Sequence, residues 1–402
     1  MRRGRLKSHS GLACSRFPES RIRRLFLDVS VISKHDAGTG IQRMVRSVAI
    51  QLLSAPPVGI EVVPVTATRK RPYYSISWSN GKFVAKSTSA SKIPIQAEPG
   101  DIFLGLDFAL DTIRIHQRQL LAFRRQGGQL WFAMYDLLPV QRPDWFSDAL
   151  VVRFNKWLAI LAKIADGIYC ISPTVERDLR DQIFLRYGLP TDAIRTHVLP
   201  LGGDISLGHT PTIEETDFNS SLATQVALRT GPTALMVGTL EPRKGYSDVL
   251  AAFELLWRRK QDINLVIVGR PGWKTESLQT HIKTHAEYGR RLLWLSNAND
   301  SVLCYLYAAS TGVIAASLAE GYGLPVIEAL SYGKPVLARD IPVFRMHEKY
   351  GNVEYFPESS SPEVLAGKVV KLLMSSPVRQ CVVRPPSWCE TVQAMLSALN
   401  IS

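Results

Sequence analysis

The chain has 402 residues, 46% hydrophobic and 21% charged, which is the composition of a soluble globular protein of roughly two or three domains. Its net charge of +13 suits phosphorylated small molecules, an anionic membrane face or nucleic acid. No RNP-like aromatic run, zinc-finger spacing or helix-turn-helix pattern accompanies that charge, so nucleic acid is not an expected partner.

In chain order, the N-terminal stretch MRRGRLKSHSGLACSRFPESRIRR is basic and lacks the apolar core of a signal peptide. Residues 1–23 read as a flexible tail, and no apolar run reaches the ~18–20 residues that span a bilayer. A cytoplasmic protein is expected, with peripheral contact at the inner face of an anionic membrane as the more specific option. Short apolar runs at Leu25–Val29, Val62–Val65, Ile102–Leu106, Leu130–Tyr135, Ile168–Ile171 and His197–Leu201 predict strands buried on both faces. Helical patterns such as Ile41–Leu53 and Ala149–Ile164 separate them. Residues 206–231 are polar and without period, which predicts a linker between a first domain over 24–205 and a second over 232–384. The second series has strands at Ala234–Val237, Leu265–Val268, Leu292–Leu295, Gly312–Ala316 and Val336–Ala338, with helices at Ser247–Arg259, Val302–Ala309 and Pro325–Tyr332. A last helix lies in 385–402. The predicted class is α/β: two Rossmann-like, doubly wound parallel sheets facing a cleft, with ligands at the carboxyl ends of the strands. The five cysteines (Cys14, Cys170, Cys304, Cys381, Cys389) show no C-x-x-C pair, so neither a disulfide framework nor a zinc site is indicated.

Three strand-to-helix turns in the second half concentrate the chemistry. In 317-SLAEGYGLPVIEAL-330, Glu320 and Glu328 flank a turn whose Gly321 and Gly323 let the backbone approach a ligand, and Pro325 suits the first turn of a helix. Taken alone, the two acids are equally well read as a solvated loop acid and a carboxylate favoured by the helix dipole. The turn 236-MVGTLEPRKGYSDVL-250 tips the balance: after Gly238 it places Arg243 and Lys244 at a strand end, where two cations suit a diphosphate. The third, 265-LVIVGRPGW-273, carries Gly269, Arg270 and Trp273, which read as the wall of a base or ribose or as an ordinary turn. In the first half, Gly38 and Gly40 precede a helix start that can approach a phosphate, although the spacing falls short of G-x-G-x-x-G. Tyr135 and Asp136 close another strand.

With these segments in order, the sequence resembles family 4 glycosyltransferases, retaining sugar-nucleotide enzymes of the GT-B fold, and more finely their mannosyltransferase-like branch. The match rests on the paired-glutamate motif Glu320–Glu328, on GTLEPRKG and GRPGW, and on SNANDSVLCYLYAAS at 296–310; DAGTGIQR and YDLLP carry the finer assignment. The resemblance implies an acceptor-binding first domain and a donor-binding second one, with the last helix crossing back onto the first. It implies that Arg243 and Lys244 neutralise the donor diphosphate, and that Glu320 with the backbone of Gly321, Tyr322, Gly323 and Leu324 holds the transferred sugar. Glu328 would bind the nucleotide ribose, and Tyr135 and Asp136 the sugar or acceptor. No metal and no cofactor are implied beyond a nucleotide-sugar co-substrate, for which a GDP-linked mannose is the leading choice; the acceptor would be a glycan or a lipid-linked sugar. Tyr135 stands where many relatives have histidine, and the acid often following the arginine in 339-RDIPVFRMHEKYG-351 is displaced to Glu348. A non-catalytic glycosyltransferase-like subunit, a sugar-nucleotide epimerase and a glycan phosphorylase remain as alternatives.

Overall fold

In a computed structural model, residues 22–79, 81–84, 93–190, 192–205, 231–374 and 383–401 are described. Most of the predicted tail and linker lies outside them. Arg23 and Arg24, which the sequence reading counts with the tail charges, instead belong to the first strand, where Arg23 Nε donates to Gly100 O and Arg24 pairs with buried Asp101.

The first domain is built on a seven-stranded sheet. Its strands are β1 (Arg23–Asp28), β2 (Ile60–Thr68), β3 (Arg71–Ser75), β6 (Ile102–Gly105), β7 (Gln129–Met134), β8 (Gly167–Cys170) and β9 (Arg195–Val198), in the order β3-β2-β1-β6-β7-β8-β9. Among the described strand pairs of this sheet, only β2–β3 is antiparallel. A separate hairpin of β4 (Ser77–Ser79) and β5 (Lys82–Val84) follows β3. The helices are α1 (Gly40–Ser54), α2 (Leu110–Ile115), α3 (Gln117–Arg125), α4 (Leu138–Gln141), α5 (Asp148–Ile164) and α6 (Pro173–Tyr187). Strand β9 stops at Val198, earlier than predicted: after Leu199 the next backbone groups facing β8, those of Leu201, bond to the Tyr322 hydroxyl instead.

The second domain has β10 (Thr233–Val237), β11 (Asn264–Val268), β12 (Leu292–Leu295), β13 (Gly312–Ala315), β14 (Val336–Arg339) and β15 (Val353–Phe356), all parallel, in the order β12-β11-β10-β13-β14-β15. Its helices are α7 (Tyr246–Arg258), α8 (Glu276–Thr284), α9 (Asp300–Ala309), α10 (Leu324–Ser331), α11 (Pro342–Arg345) and α12 (Pro362–Met374). A buried apolar cluster covers each sheet face, which explains why strands such as NLVIV and GVIA are apolar without alternation. Helix α13 (Trp388–Ala398) returns to the first domain: Trp388 and Met395 join its core, and Tyr169 donates to Met395 O at 2.8 Å. Among the described residues no helix is long and apolar enough to cross a membrane.

In each sheet the strand order reverses once, between β1 and β6 and between β10 and β13. At such switch points the loops leaving adjacent strands diverge to opposite faces and open a crevice for ligands. This topology brings the turn after β10 beside the turn after β13, which are about eighty residues apart in the chain.

Candidate active site

A cleft of about 1310 Å³ lies between the domains, lined from both. On the second-domain side, β10 ends at Val237 and Gly238 leads to a short turn, Pro242–Lys244, before α7. Arg243 O accepts from Leu318 N at 2.8 Å, which fastens this turn to the one after β13. Across that seam lies a compact charge cluster. Arg243 Nη1 donates to Ala319 O (3.0 Å) and meets Glu320 Oε2 (3.3 Å), while its Nε stands 2.8 Å from Glu241 Oε2. Lys244 Nζ pairs with Glu320 Oε1, and Ser317 Oγ donates to the same oxygen at 2.7 Å. Burial alone would raise the Glu320 pKa, but the charges of Lys244 and Arg243 and the hydrogen bonds outweigh it and hold the group at about 2. Glu320 is therefore a fixed anion and a hydrogen-bond acceptor, not a proton donor. Arg243 Nη2 bonds to none of the described residues, and Lys244 has two further N–H donors beyond the one on Glu320.

The turn after β13 packs tightly on the first domain. A Cβ on Gly321 would sit 1.9 Å from Tyr135 O, so any larger residue forces the domains apart there. Gly323, at φ 86°, caps α10 where a Cβ would meet the Phe344 ring at 2.6 Å. The starts of α1 and α10 face each other: a Cβ on Gly40 would lie 3.3 Å from Leu324 Cδ1. Two sets of helix-start N–H groups with partial positive charge thus border the same cleft. Thr39 and Gln42 form a capping box that fixes α1, and Arg339, buried at the end of β14, donates to Ala316 O (2.9 Å) and pairs with Asp248.

Of the residues expected at the site, Gly38, Gly40, Tyr135, Asp136, Gly238, Arg243, Lys244, Gly269, Arg270, Glu320, Gly321, Tyr322, Gly323 and Leu324 line the cleft. Trp273 lines it too; Glu328 and Tyr135 differ in detail from the expectation, and Tyr322 and Trp273 carry contacts that the sequence did not show. Glu328 is 2% exposed and is not among the cleft-lining residues; its Oε1 pairs with Arg43 Nη2 at 2.5 Å and its Oε2 accepts from Tyr307 at 2.7 Å. Tyr135 turns its hydroxyl into the first domain, donating to Leu106 O at 2.5 Å, so that group is spent within the protein. The Tyr322 hydroxyl is tied to Leu201, accepting from its N–H and donating to its carbonyl, which fixes the turn whose backbone was expected at the site. Trp273 ties the domains together: its Nε1 donates to Trp145 O (2.6 Å), its ring lies 5.8 Å from that of Phe146, and Lys274 Nζ reaches Asp144 O. Glu348 is at the surface, 3.3 Å from Arg345. Asp136 accepts from Leu138 N and faces the cluster; burial raises its pKa, opposed by the charge of Arg243.

Sequence reasoning missed Arg43 and Arg46. They lie three residues apart on α1, hence on one helix face, and reach the second domain at Glu328 and at Asp300 (2.9 Å). Arg43 closes the quoted DAGTGIQR and Arg46 follows three residues on, and helical spacing alone would have put them together on one side. Also missed were Glu241 and the β4–β5 hairpin, whose Asn80-Gly81 between SWS and KFV is a strong hairpin signal. Among the described residues no group of three or more His, Cys, Asp or Glu is placed to hold a metal ion.

His347 supports the turn from behind, with Nε2 2.7 Å from Tyr322 O, fully buried, its pKa pushed down to about 4 by burial. A ring held neutral in the fold and free to protonate when unfolded stabilises fully above about pH 6.5, and that stability is lost as pH falls towards 4. Acidification from pH 7.5 to 5 should therefore cost about 2 kcal/mol through this group. Thermal unfolding of His347→Gln and wild type at both pH values checks this; equal pH dependence in the two proteins would contradict it.

Residues 222–383 match the family model for glycosyl transferases group 1. The chain is 36% identical to the serotype-specific mannosyltransferase WbdA of Escherichia coli over 330 residues, covering 80% of this chain and 38% of that protein. The chain therefore spans about two fifths of the WbdA proteins that it matches. Among solved structures, sucrose-phosphate synthase from Thermosynechococcus elongatus superposes with a TM-score of 0.58 at 18% identity, covering 94% of each chain. HepE of Anabaena in complex with UDP superposes with a TM-score of 0.55 at 16% identity, covering 94% of this chain and 95% of that one. At these identities the structural likenesses speak for the fold.

Proposed function

Since the chain belongs to the group 1 glycosyltransferases and has the GT-B fold, we propose that it moves a hexose from a nucleotide-sugar onto a glycan or lipid-linked acceptor, as a retaining, metal-independent enzyme. Mannose from GDP-mannose is the donor we favour, because WbdA is named a mannosyltransferase; the product would enter a surface polysaccharide. The observation that carries this reading is the Glu320 carboxylate held between Lys244 and Arg243 where two strand ends meet in the interdomain cleft.

Glycosyl transfer passes through an oxocarbenium-like state while negative charge gathers on the departing diphosphate. Groups that bind that charge better as it forms accelerate the step. Lys244, the uncommitted Nη2 of Arg243 and the facing starts of α1 and α10 suit this task. Glu320, fixed as an anion, suits hydrogen bonds from the sugar hydroxyls and the positive charge on the ring; Asp136 faces it from the first domain. The acceptor hydroxyl would attack from the face that the diphosphate leaves, with a leaving-group oxygen taking its proton. For Glu328 to receive the ribose, Arg43 must release it or share it. The protein would work on the cytoplasmic side, at a membrane surface when the acceptor is lipid-linked.

The test is transfer from GDP-mannose, UDP-glucose and ADP-glucose to a mannoside acceptor, with and without EDTA, reading the product anomer by NMR. An α-linked product from an α-donor, unaffected by EDTA, is expected. A β-linked product would overturn the retaining assignment, loss with EDTA the metal independence, and no transfer from any donor the enzyme assignment.

A further inference from the structure

The β4–β5 hairpin belongs to neither main sheet. Its strands pair Ser77 with Val84, Trp78 with Phe83 and Ser79 with Lys82, so Trp78 and Phe83 are direct cross-strand neighbours on one face. Their ring centroids are 4.6 Å apart at 58°. Gly81, at φ 73°, takes the left-handed conformation that a tight hairpin turn favours. Trp78, Gly81, Lys82 and Phe83 all line the interdomain cleft.

The two aromatic residues divide the work. Phe83 packs against the first-domain core and anchors the hairpin. Trp78 is half-buried, lies outside that core, and its indole N–H bonds to none of the described residues. A hairpin this short is marginal by itself, so its position rests on the Phe83 anchor. A large amphipathic ring presented to the cleft suits recognition of a ligand with an apolar face and polar rim, since tryptophan pairs an apolar face with one polar donor. The cleft volume of about 1310 Å³ also exceeds the roughly 300–1,000 Å³ of an ordinary small-ligand pocket, leaving room for a second substrate beside the donor. The phosphate-suited cations Arg243 and Lys244 are on the second domain, whereas the hairpin belongs to the first.

We propose that Trp78, braced by Phe83, is the platform on which the terminal pyranose of the acceptor glycan stacks, setting which sugar is presented to the donor. The apolar C–H face of a pyranose lies on the indole while the ring hydroxyls remain for polar partners, of which the Trp78 N–H and Lys82 are two at hand. This rests on the glycosyltransferase reading and adds to it a residue that selects the acceptor.

The experiment uses the full chain with Trp78→Ala and Trp78→Phe, α-mannobiose as acceptor, and GDP as the nucleotide probe. The expected result is an acceptor KM raised at least tenfold in Trp78→Ala, largely restored in Trp78→Phe, with the Kd for GDP within twofold of wild type. An unchanged acceptor KM in Trp78→Ala overturns the platform, as does an equal loss of GDP binding, which would signal damage to the whole cleft. If wild type transfers nothing from any donor, the glycosyltransferase reading fails by itself. Calorimetric α-mannobiose binding then decides the platform, and equal binding by wild type and Trp78→Ala, or none to either, overturns it.

Discussion

Lys244→Ala is expected to lower turnover by about 10²–10³-fold with the fold intact, the usual effect of removing one preorganised donor from a developing oxyanion. The side chain is short of alternatives: Arg243 is committed through Nη1 to Ala319 O and Glu320, and through Nε to the Glu241 side. Its guanidinium cannot advance to replace a missing ammonium without breaking those contacts. Loss of Lys244 also removes the largest charge holding the Glu320 pKa at about 2, so the pKa rises in the variant. The structural cost is modest because Arg243 and Ser317 still hold Glu320. Steady-state kinetics with thermal unfolding on the same preparation checks this; turnover within fivefold of wild type would remove Lys244 from the diphosphate.

Arg43→Ala is expected to destabilise the protein by about 3 kcal/mol, the scale for breaking a buried ion pair by deleting one partner. Its guanidinium is 12% exposed, and the Glu328 side chain 3%. After the substitution Glu328 keeps only the Tyr307 hydroxyl, and a buried carboxylate with one neutral donor is poorly compensated. Replacing the acid as well, in Arg43→Ala/Glu328→Gln, should return much of the loss, because the stranded charge is gone. Denaturant unfolding of the two single variants and the double variant measures this coupling. A single variant as stable as wild type, or a double variant whose loss is the sum of the two, would contradict it. Because α1 and α10 belong to different domains, this pair, with Arg46–Asp300, also helps set how closely the cleft is held.

The fold was legible because the β-α alternation is strong. Strands such as LVIV and GVIA are short apolar runs bounded by glycine or polar residues, and Pro325 and Gly333 punctuate the helix after β13. Edge elements were less so: β3, β15 and the hairpin are only partly covered, so their runs are mixed and lack the fully apolar signature of central strands. The positions of Glu320, Arg243 and Lys244 followed from strand-to-helix turns, because parallel sheets deliver such turns to one edge. What the sequence could not reveal was the partner of each group. Glu328 looks like a ligand-facing acid until Arg43, 285 positions earlier, is brought against it by the meeting of two domains. Tyr135 looks available until its hydroxyl is seen bonded to the backbone at Leu106. Such pairings depend on interdomain geometry or on side-chain direction at a strand end, and neither leaves a periodic trace in the chain.

The central claim, that the charge cluster at the β10–β13 seam receives a nucleoside diphosphate, is tested most directly by calorimetric titration of GDP, UDP and ADP into wild type and Lys244→Ala in EDTA. Micromolar binding of one nucleotide to wild type, weakened at least tenfold in the variant, is the predicted result. Binding of none of the three to wild type, or equal binding by both proteins, would contradict it.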